Sequence, residues 1–169
     1  GGCQFRHMTY AEELEAKRQR VEDALRRIGG VELSVSVIRG AENTRRYRNK
    51  VQFPVGNDNQ NVSIGFYGKR SHRIINTQKC LLQHEISDKI IEIIRDFLKE
   101  YHISIYNEQY HKGLIRHILV KIGFQTGQIM VCLVINGKSL PHKEILVQRL
   151  QNIKGMTSIV CNINREKTN

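Results

Sequence analysis

Strict alternation over residues 47–53 puts Tyr47, Val51 and Phe53 on one side of a strand and Arg48, Lys50 and Gln52 on the other. The polar run at 56–61 turns this strand into 62–67, which alternates again, so the two predict a hairpin. Upstream, Thr9 and Glu12 form a capping box, and Leu14, Val21, Leu25 and Ile28 recur on one helical stripe that Gly29-Gly30 stops. Val31, Leu33, Val35 and Val37 then alternate with Glu32, Ser34 and Ser36, which predicts a short half-buried strand. Helical spacing returns at Ile86, Ile90, Ile93, Ile94, Phe97, Leu98 and Tyr101, giving a second helix over 83–101 with a broad apolar face suited to a sheet. Residues 114–124 and 128–135 predict a second hairpin, its outgoing strand apolar on both faces and therefore central. Pro141 opens a third helix with Ile145, Leu146, Leu150 and Ile153 inward, Gly155 closes it, and 157–163 read as a last strand. Hairpins interspersed with helices predict an α+β fold: an antiparallel or mixed sheet of about five to six strands packed by about three helices. Residues 1–169 read as one domain, with the N-terminal helix in 1–30 and the sheet-and-helix core in 31–169.

Charge narrows the partners. Lys and Arg number 27 against 16 acidic residues, a formal net charge of +11, so a polyanion is the expected partner. RNA, DNA, anionic lipid and acidic protein all satisfy that requirement. No apolar run approaches the roughly 18 residues of a membrane-spanning helix, which argues against insertion. Four cysteines and no secretory signal favour a reducing cytoplasm. The chain starts without Met and ends directly after a strand-like stretch, and reads as a piece of something longer.

The cations are not uniformly compensated. Those of the first helix have acidic neighbours, whereas no carboxylate lies between Arg45 and Val55. Arg45, Arg46, Arg48, Lys50, Lys69, Arg70, Arg73, Arg116 and Lys121 fall on strands or their connections and can converge on one face. With Tyr47, Phe53, Phe66 and Tyr67 nearby, such a face suits phosphates beside unstacked bases. The candidate RNA-binding residues are Arg48, Lys50, Gln52, Lys69, Arg70, His72, Arg73 and Arg116. Cys132 and Cys161 lie in apolar strands and read as core. Cys3 and Cys80 lie in polar loops, where spacing alone fits free thiols or a metal role; two ligands cannot complete a four-thiolate site. There is no phosphate-binding glycine loop, nucleophile elbow or paired-carboxylate spacing, so nothing in these motifs argues catalysis.

Taken in order, Gly1-Gly2-Cys3-Gln4, Met8-Thr9-Tyr10 with its helix, Tyr47-Arg48-Asn49-Lys50-Val51-Gln52-Phe53-Pro54-Val55, Gly65-Phe66-Tyr67 through Arg70-Ser71-His72, Cys80, and Leu114-Ile115-Arg116-His117 resemble one family. It is the uracil-5-methyltransferases of ribosomal and transfer RNA, the RumA/TrmA type. The resemblance implies three parts, a TRAM β-barrel, a central α/β domain and an S-adenosylmethionine-binding catalytic domain, of which this chain is similar to the central one. The family's nucleophilic cysteine attacks uracil C6 so that C5 takes the methyl group. Neither Cys132 nor Cys161 matches its surroundings, so no catalytic residue carries over. Members with a cluster carry C-x5-C-G-G-C and a distant fourth cysteine. Cys3 resembles the last of the triplet and Cys80 the fourth ligand of that [4Fe-4S] site, which would be incomplete with these two alone. Thr44 departs from the family, where many relatives have Pro, and Gly68-Lys69 varies a loop. The implied role is to grip RNA, with ribosomal RNA preferred to transfer RNA as the substrate, while a target uridine leaves its stack. The rival is a stand-alone basic module that docks on RNA or an acidic protein without catalysis; the sequence flanking this segment separates the two.

Overall fold

The computed structural model describes residue 5, residues 7–58 and residues 61–167. Two compact units are formed, Gly1–Thr44 and Arg45–Asn169.

In the first unit, α1 (Tyr10–Arg27) begins at the foreseen capping box, with the Thr9 hydroxyl accepting from the Glu12 amide and the Glu12 carboxylate accepting from the Thr9 amide. Its cations are compensated as the sequence indicates: Arg18 pairs with Glu15 and Glu22, Lys17 with Glu13, and Arg26 with Asp23. The expected strand at 31–37 is not formed. The chain there has no ladder partner; the Val35 amide instead donates to Glu22 at 2.8 Å, and the Ala41 amide donates to the Tyr10 hydroxyl. Alternation describes an extended backbone, but a strand also needs a neighbour, and side chains of α1 take that place. Val31, Leu33 and Val37 are accordingly exposed.

The second unit carries β1 (Lys50–Asp58), β2 (Asn61–Tyr67), β3 (Ile74–Asn76), α2 (Glu85–Glu100), β4 (Ile115–Ile122), β5 (Ile129–Ile135), α3 (Lys143–Gln151) and β6 (Met156–Ile163). The strands form one sheet in the order β3-β2-β1-β4-β5-β6, antiparallel throughout except for the parallel pair β5–β6 that α3 connects. This is the mixed α+β sheet foreseen, with β5 interior. β3 was not foreseen, because three residues are too few to show a period.

One face of the sheet is the core. Val51, Phe53 and Val55 of β1, Ile118 and Val120 of β4, and Val131, Leu133 and Ile135 of β5 are buried with Ile90, Ile94, Phe97 and Leu98 of α2 and Leu146 and Leu150 of α3. Fully burying a side chain of this size contributes about 1.5–3 kcal/mol, so this layer fixes the strand register. Phe53 and Phe66 meet here with ring centroids 5.2 Å apart. They are packing residues and are not available to stack on bases. Tyr47 departs from its expected packing side and is exposed, since the chain leaves the ladder before Lys50 and Arg46 takes a left-handed φ of 58°. Cys132 is buried as expected, whereas Cys161 is exposed, because the edge strand β6 has a neighbour on one side only.

Two glycines are required by close approach. A Cβ on Gly65 would run into the carbonyl of Ile75 on β3, and one on Gly113 into the carbonyl of Ile105, where φ is also 98°.

Candidate nucleic-acid interface

On the sheet face away from α2 and α3, alternation presents Lys50, Gln52 and Pro54 from β1 beside Lys121, Leu119 and His117 from β4. Lys50 and Lys121 are directly paired across the strands, and both are exposed, as is Gln52. Like charges in cross-strand register destabilise a sheet by a few tenths of a kcal/mol or more, and a bound phosphate relieves that repulsion. Asn49 and Lys121 also line an open groove of about 370 Å³ with Thr126, Gln128 and Thr157. Lys121, in the cationic set on sequence grounds but not among the eight candidates, thus belongs with Lys50.

The remaining candidates are elsewhere. Pro54 pairs with His117, four residues along from Lys50, or about 13 Å at the rise of a strand. Around that second position lies a groove of about 340 Å³ whose walls include Tyr67, His72, Arg73, Tyr106, Glu108 and Arg116. Residues 68–73 form the tight connection from β2 to β3, closed by the Gly68 amide donating to the Arg73 carbonyl at 2.8 Å and by the Ser71 amide donating to the Gly68 carbonyl. Lys69, Arg70, His72 and Arg73 are all exposed on it, and Arg70 has a left-handed φ of 55°. His72 Nδ1 lies 2.9 Å from Glu108 Oε2, and its ring contacts that of Tyr67.

Arg116 is not the surface cation expected. A β-bulge between Ile115 and His117 turns it beneath the groove, where it is 3% exposed. Its Nη1 donates to the carbonyls of Asn164 and Glu166 at 2.9 and 2.7 Å, and its guanidinium lies 4.4 Å from the centre of the Tyr106 ring. It therefore holds the C-terminal stretch and Tyr106 and supplies positive charge from below. Next to it, burial and then the Arg116 charge push the His117 imidazole below its usual range, with Glu108 opposing. Burial, then Glu108, raises the Tyr67 phenol, with Arg116 opposing, so it stays a neutral hydroxyl at pH 7.

The cations before β1 serve a different purpose. Arg46 Nη1 donates to the carbonyls of Cys80 and Gln83 and to Asp88 Oδ2 at 2.7, 3.1 and 2.7 Å. Backbone bonds from Arg46 to Leu81 and from Arg48 to Leu82 complete the attachment. Arg46 is thus a clamp on the 80–83 loop, and Arg48 is half-buried beside Gln83, to which it forms a β-bridge. Cys80 is half-buried in that loop, its amide facing Asp88 Oδ1 at 3.4 Å. Cys3 lies outside the described residues. Among the described residues, no three His, Cys, Asp or Glu side chains are grouped to hold a metal ion, and no helix is long and apolar enough to cross a membrane.

Sequence reasoning did not single out Tyr106 or Glu108. Both come from the 102–114 connection, which has no periodicity; the signal present was the adjoining Leu114-Ile115-Arg116-His117.

No family model matches the chain. An uncharacterized RNA methyltransferase of Clostridium tetani is 50% identical over 170 residues, covering 100% of this chain and 37% of that protein. One of Caldanaerobacter subterraneus is 41% identical over 169 residues, covering 99% of this chain and again 37% of the relative. Among solved structures, the Pyrococcus abyssi tRNA (uracil-54, C5)-methyltransferase in complex with S-adenosyl-L-homocysteine superposes with a TM-score of 0.77 at 27% identity, over 100% of this chain and 38% of that one. The chain thus spans a little over a third of the length of these relatives, at 37%. Over its whole length the chain is thus similar to a segment of RNA methyltransferases, among them a tRNA (uracil-54, C5)-methyltransferase of known structure.

Proposed function

We propose that the chain is the RNA-gripping portion of an S-adenosylmethionine-dependent RNA uracil-5-methyltransferase, holding the substrate while a uridine is presented for C5 methylation. The observation that carries this reading is the cross-strand pair Lys50–Lys121 on the sheet face away from α2 and α3, in a chain whose whole length is similar to part of RNA methyltransferases. Lysine ammonium groups at a strand end contact phosphates without reading sequence, which suits a domain that positions RNA. Extruding a base costs a few kcal/mol, and such contacts on either side of the target offset it. Lys50, Gln52, Lys69, Arg70, His72 and Arg73 are assigned to the RNA-facing side, with Lys121 added, Arg116 acting from beneath and Arg48 assigned instead to the 80–83 loop.

Ribosomal RNA is our first candidate substrate; the solved relative is named for tRNA. No residue of this chain is assigned to the chemical step. S-adenosylmethionine would supply the methyl group and be bound outside the segment. For a [4Fe-4S] cluster the described residues fit one ligand position, Cys80, whose loop is held by Arg46 and Asp88; Cys3 is assigned as a second. No step of the function is routed through that cluster.

The test is titration of the chain against labelled stem-loop RNAs from 23S ribosomal RNA and from tRNA, with double-stranded DNA of equal charge as competitor. Binding to either RNA that survives the competitor supports the reading. Equal loss to DNA at every salt concentration overturns it.

A further inference from the structure

The groove beneath the 68–73 connection is shaped differently from a phosphate track. It combines two aromatic rings, Tyr67 and Tyr106, with one exposed cation, Arg73, and two carboxylates, Asp58 and Glu108. Carboxylates repel phosphate, so their presence in a strongly basic chain calls for a ligand edge that donates hydrogen bonds. At about 340 Å³ the groove has room for one nucleotide.

Its parts are held in place. Tyr106 is fixed from below by the Arg116 guanidinium at 4.4 Å and at its hydroxyl by His111 Nδ1 at 2.8 Å. Glu108 is held by His72 through Oε2, and an ionised carboxylate has about four acceptor positions, so both of its oxygens can still accept. Tyr67 is packed against the His72 ring, and desolvation keeps it protonated. Such an arrangement offers rings to stack against, acceptors to one side and a guanidinium to meet an acceptor.

We propose that this groove takes one unstacked base of the substrate RNA and that the base is guanine. The inference rests on the RNA-gripping role above and adds a base-reading site at the end of the sheet away from Lys50 and Lys121. Guanine presents two adjacent N–H donors, N1 and N2, which one carboxylate accepts together, beside an O6 acceptor that suits Arg73. Uracil offers a single donor between two acceptors, and adenine and cytosine each offer one amino donor beside a ring acceptor, so none satisfies Glu108 at two positions. Stacking on tyrosine tolerates every base, which leaves Glu108 to set the preference.

The test uses the 169-residue chain and four mononucleotides, GMP, IMP, AMP and UMP, observed by ligand-detected NMR or calorimetry. IMP lacks only the N2 amino group, so the GMP-to-IMP ratio isolates one hydrogen bond. GMP is expected to bind at least fivefold more tightly than IMP, and Glu108→Gln to bring the ratio near one while Tyr67→Phe leaves it standing. Glu108 is largely exposed, so its substitution leaves folding intact, and circular dichroism checks this. Equal affinity for all four nucleotides, or a guanine preference that survives Glu108→Gln, overturns the assignment. The stem-loop titration is read separately. RNA binding without guanine preference sinks this inference alone, whereas guanine preference without RNA binding sinks the gripping role.

Discussion

Replacing Lys50 and Lys121 together by alanine removes two positive charges that face each other across β1 and β4. If each contacts one phosphate of a single-stranded loop, the log–log dependence of affinity on salt should flatten by about 0.7 per lysine, or about 1.4 for the pair. Between about 50 and 200 mM salt that amounts to roughly a sevenfold smaller loss of affinity than the wild type shows. Stability should move in the opposite sense from a damaging mutation. The two ammonium groups repel, neither side chain is buried, and the double variant should melt at the same temperature or slightly higher, by a few tenths of a kcal/mol. Fluorescence anisotropy with labelled stem-loop RNA at four salt concentrations, run beside thermal melts, reads both quantities. An unchanged salt slope with weaker binding would mean that the lysines act through structure, and a melting temperature several degrees lower would refute the reasoning from repulsion.

Three further predictions concern the scaffold. Asp88→Ala removes the carboxylate that Arg46 meets at 2.7 Å and leaves a half-buried guanidinium with carbonyl partners only; urea unfolding should show a loss of about 1.5–3 kcal/mol, and a change under about 0.5 would remove the clamp role. Gly113→Ala, at a φ of 98° with the Ile105 carbonyl in the way, should cost about 1–3 kcal/mol, and a neutral result would contradict the close approach. His117 has its folded pKa below the ordinary 6.5, so as pH falls the unfolded chain takes the proton first. Its contribution is therefore complete above about pH 7 and is lost as pH falls through the folded pKa; His117→Gln should flatten the acid limb of the melting curve, and a limb of unchanged slope would exclude His117 as its source.

Much of the fold was legible because it rests on long periodic segments. The two hairpins and the apolar face of α2 follow from spacing that repeats along each element, the capping box from Thr9 and Glu12 three positions apart, and the central position of β5 from its unbroken apolar run. The misses have a common cause in partners that a one-dimensional pattern does not carry. Residues 31–37 alternate as a strand would but meet Glu22 rather than a neighbouring strand. Arg46 and Arg48 look alike in sequence to Lys50, yet a left-handed turn at Arg46 attaches them to the 80–83 loop while Lys50 enters the ladder. Arg116 reads as a strand cation, and only the bulge at Ile115 and His117 sends it inward. The base-sized groove was least visible, since Glu108 and Tyr106 stand on an aperiodic connection that becomes a wall through its bridges Ile105 to Ile115 and Asn107 to Lys112.

The central claim is that one side of this unit faces RNA and the other carries its core. Amide chemical-shift mapping of the isotope-labelled chain titrated with a stem-loop RNA tests it most directly. The account predicts perturbations at Lys50 and Gln52 of β1, at Lys121 of β4 and through residues 68–73, with the outward positions of α2 and α3 unmoved. Perturbations confined to α2 and α3, or none at a saturating RNA concentration, would contradict it.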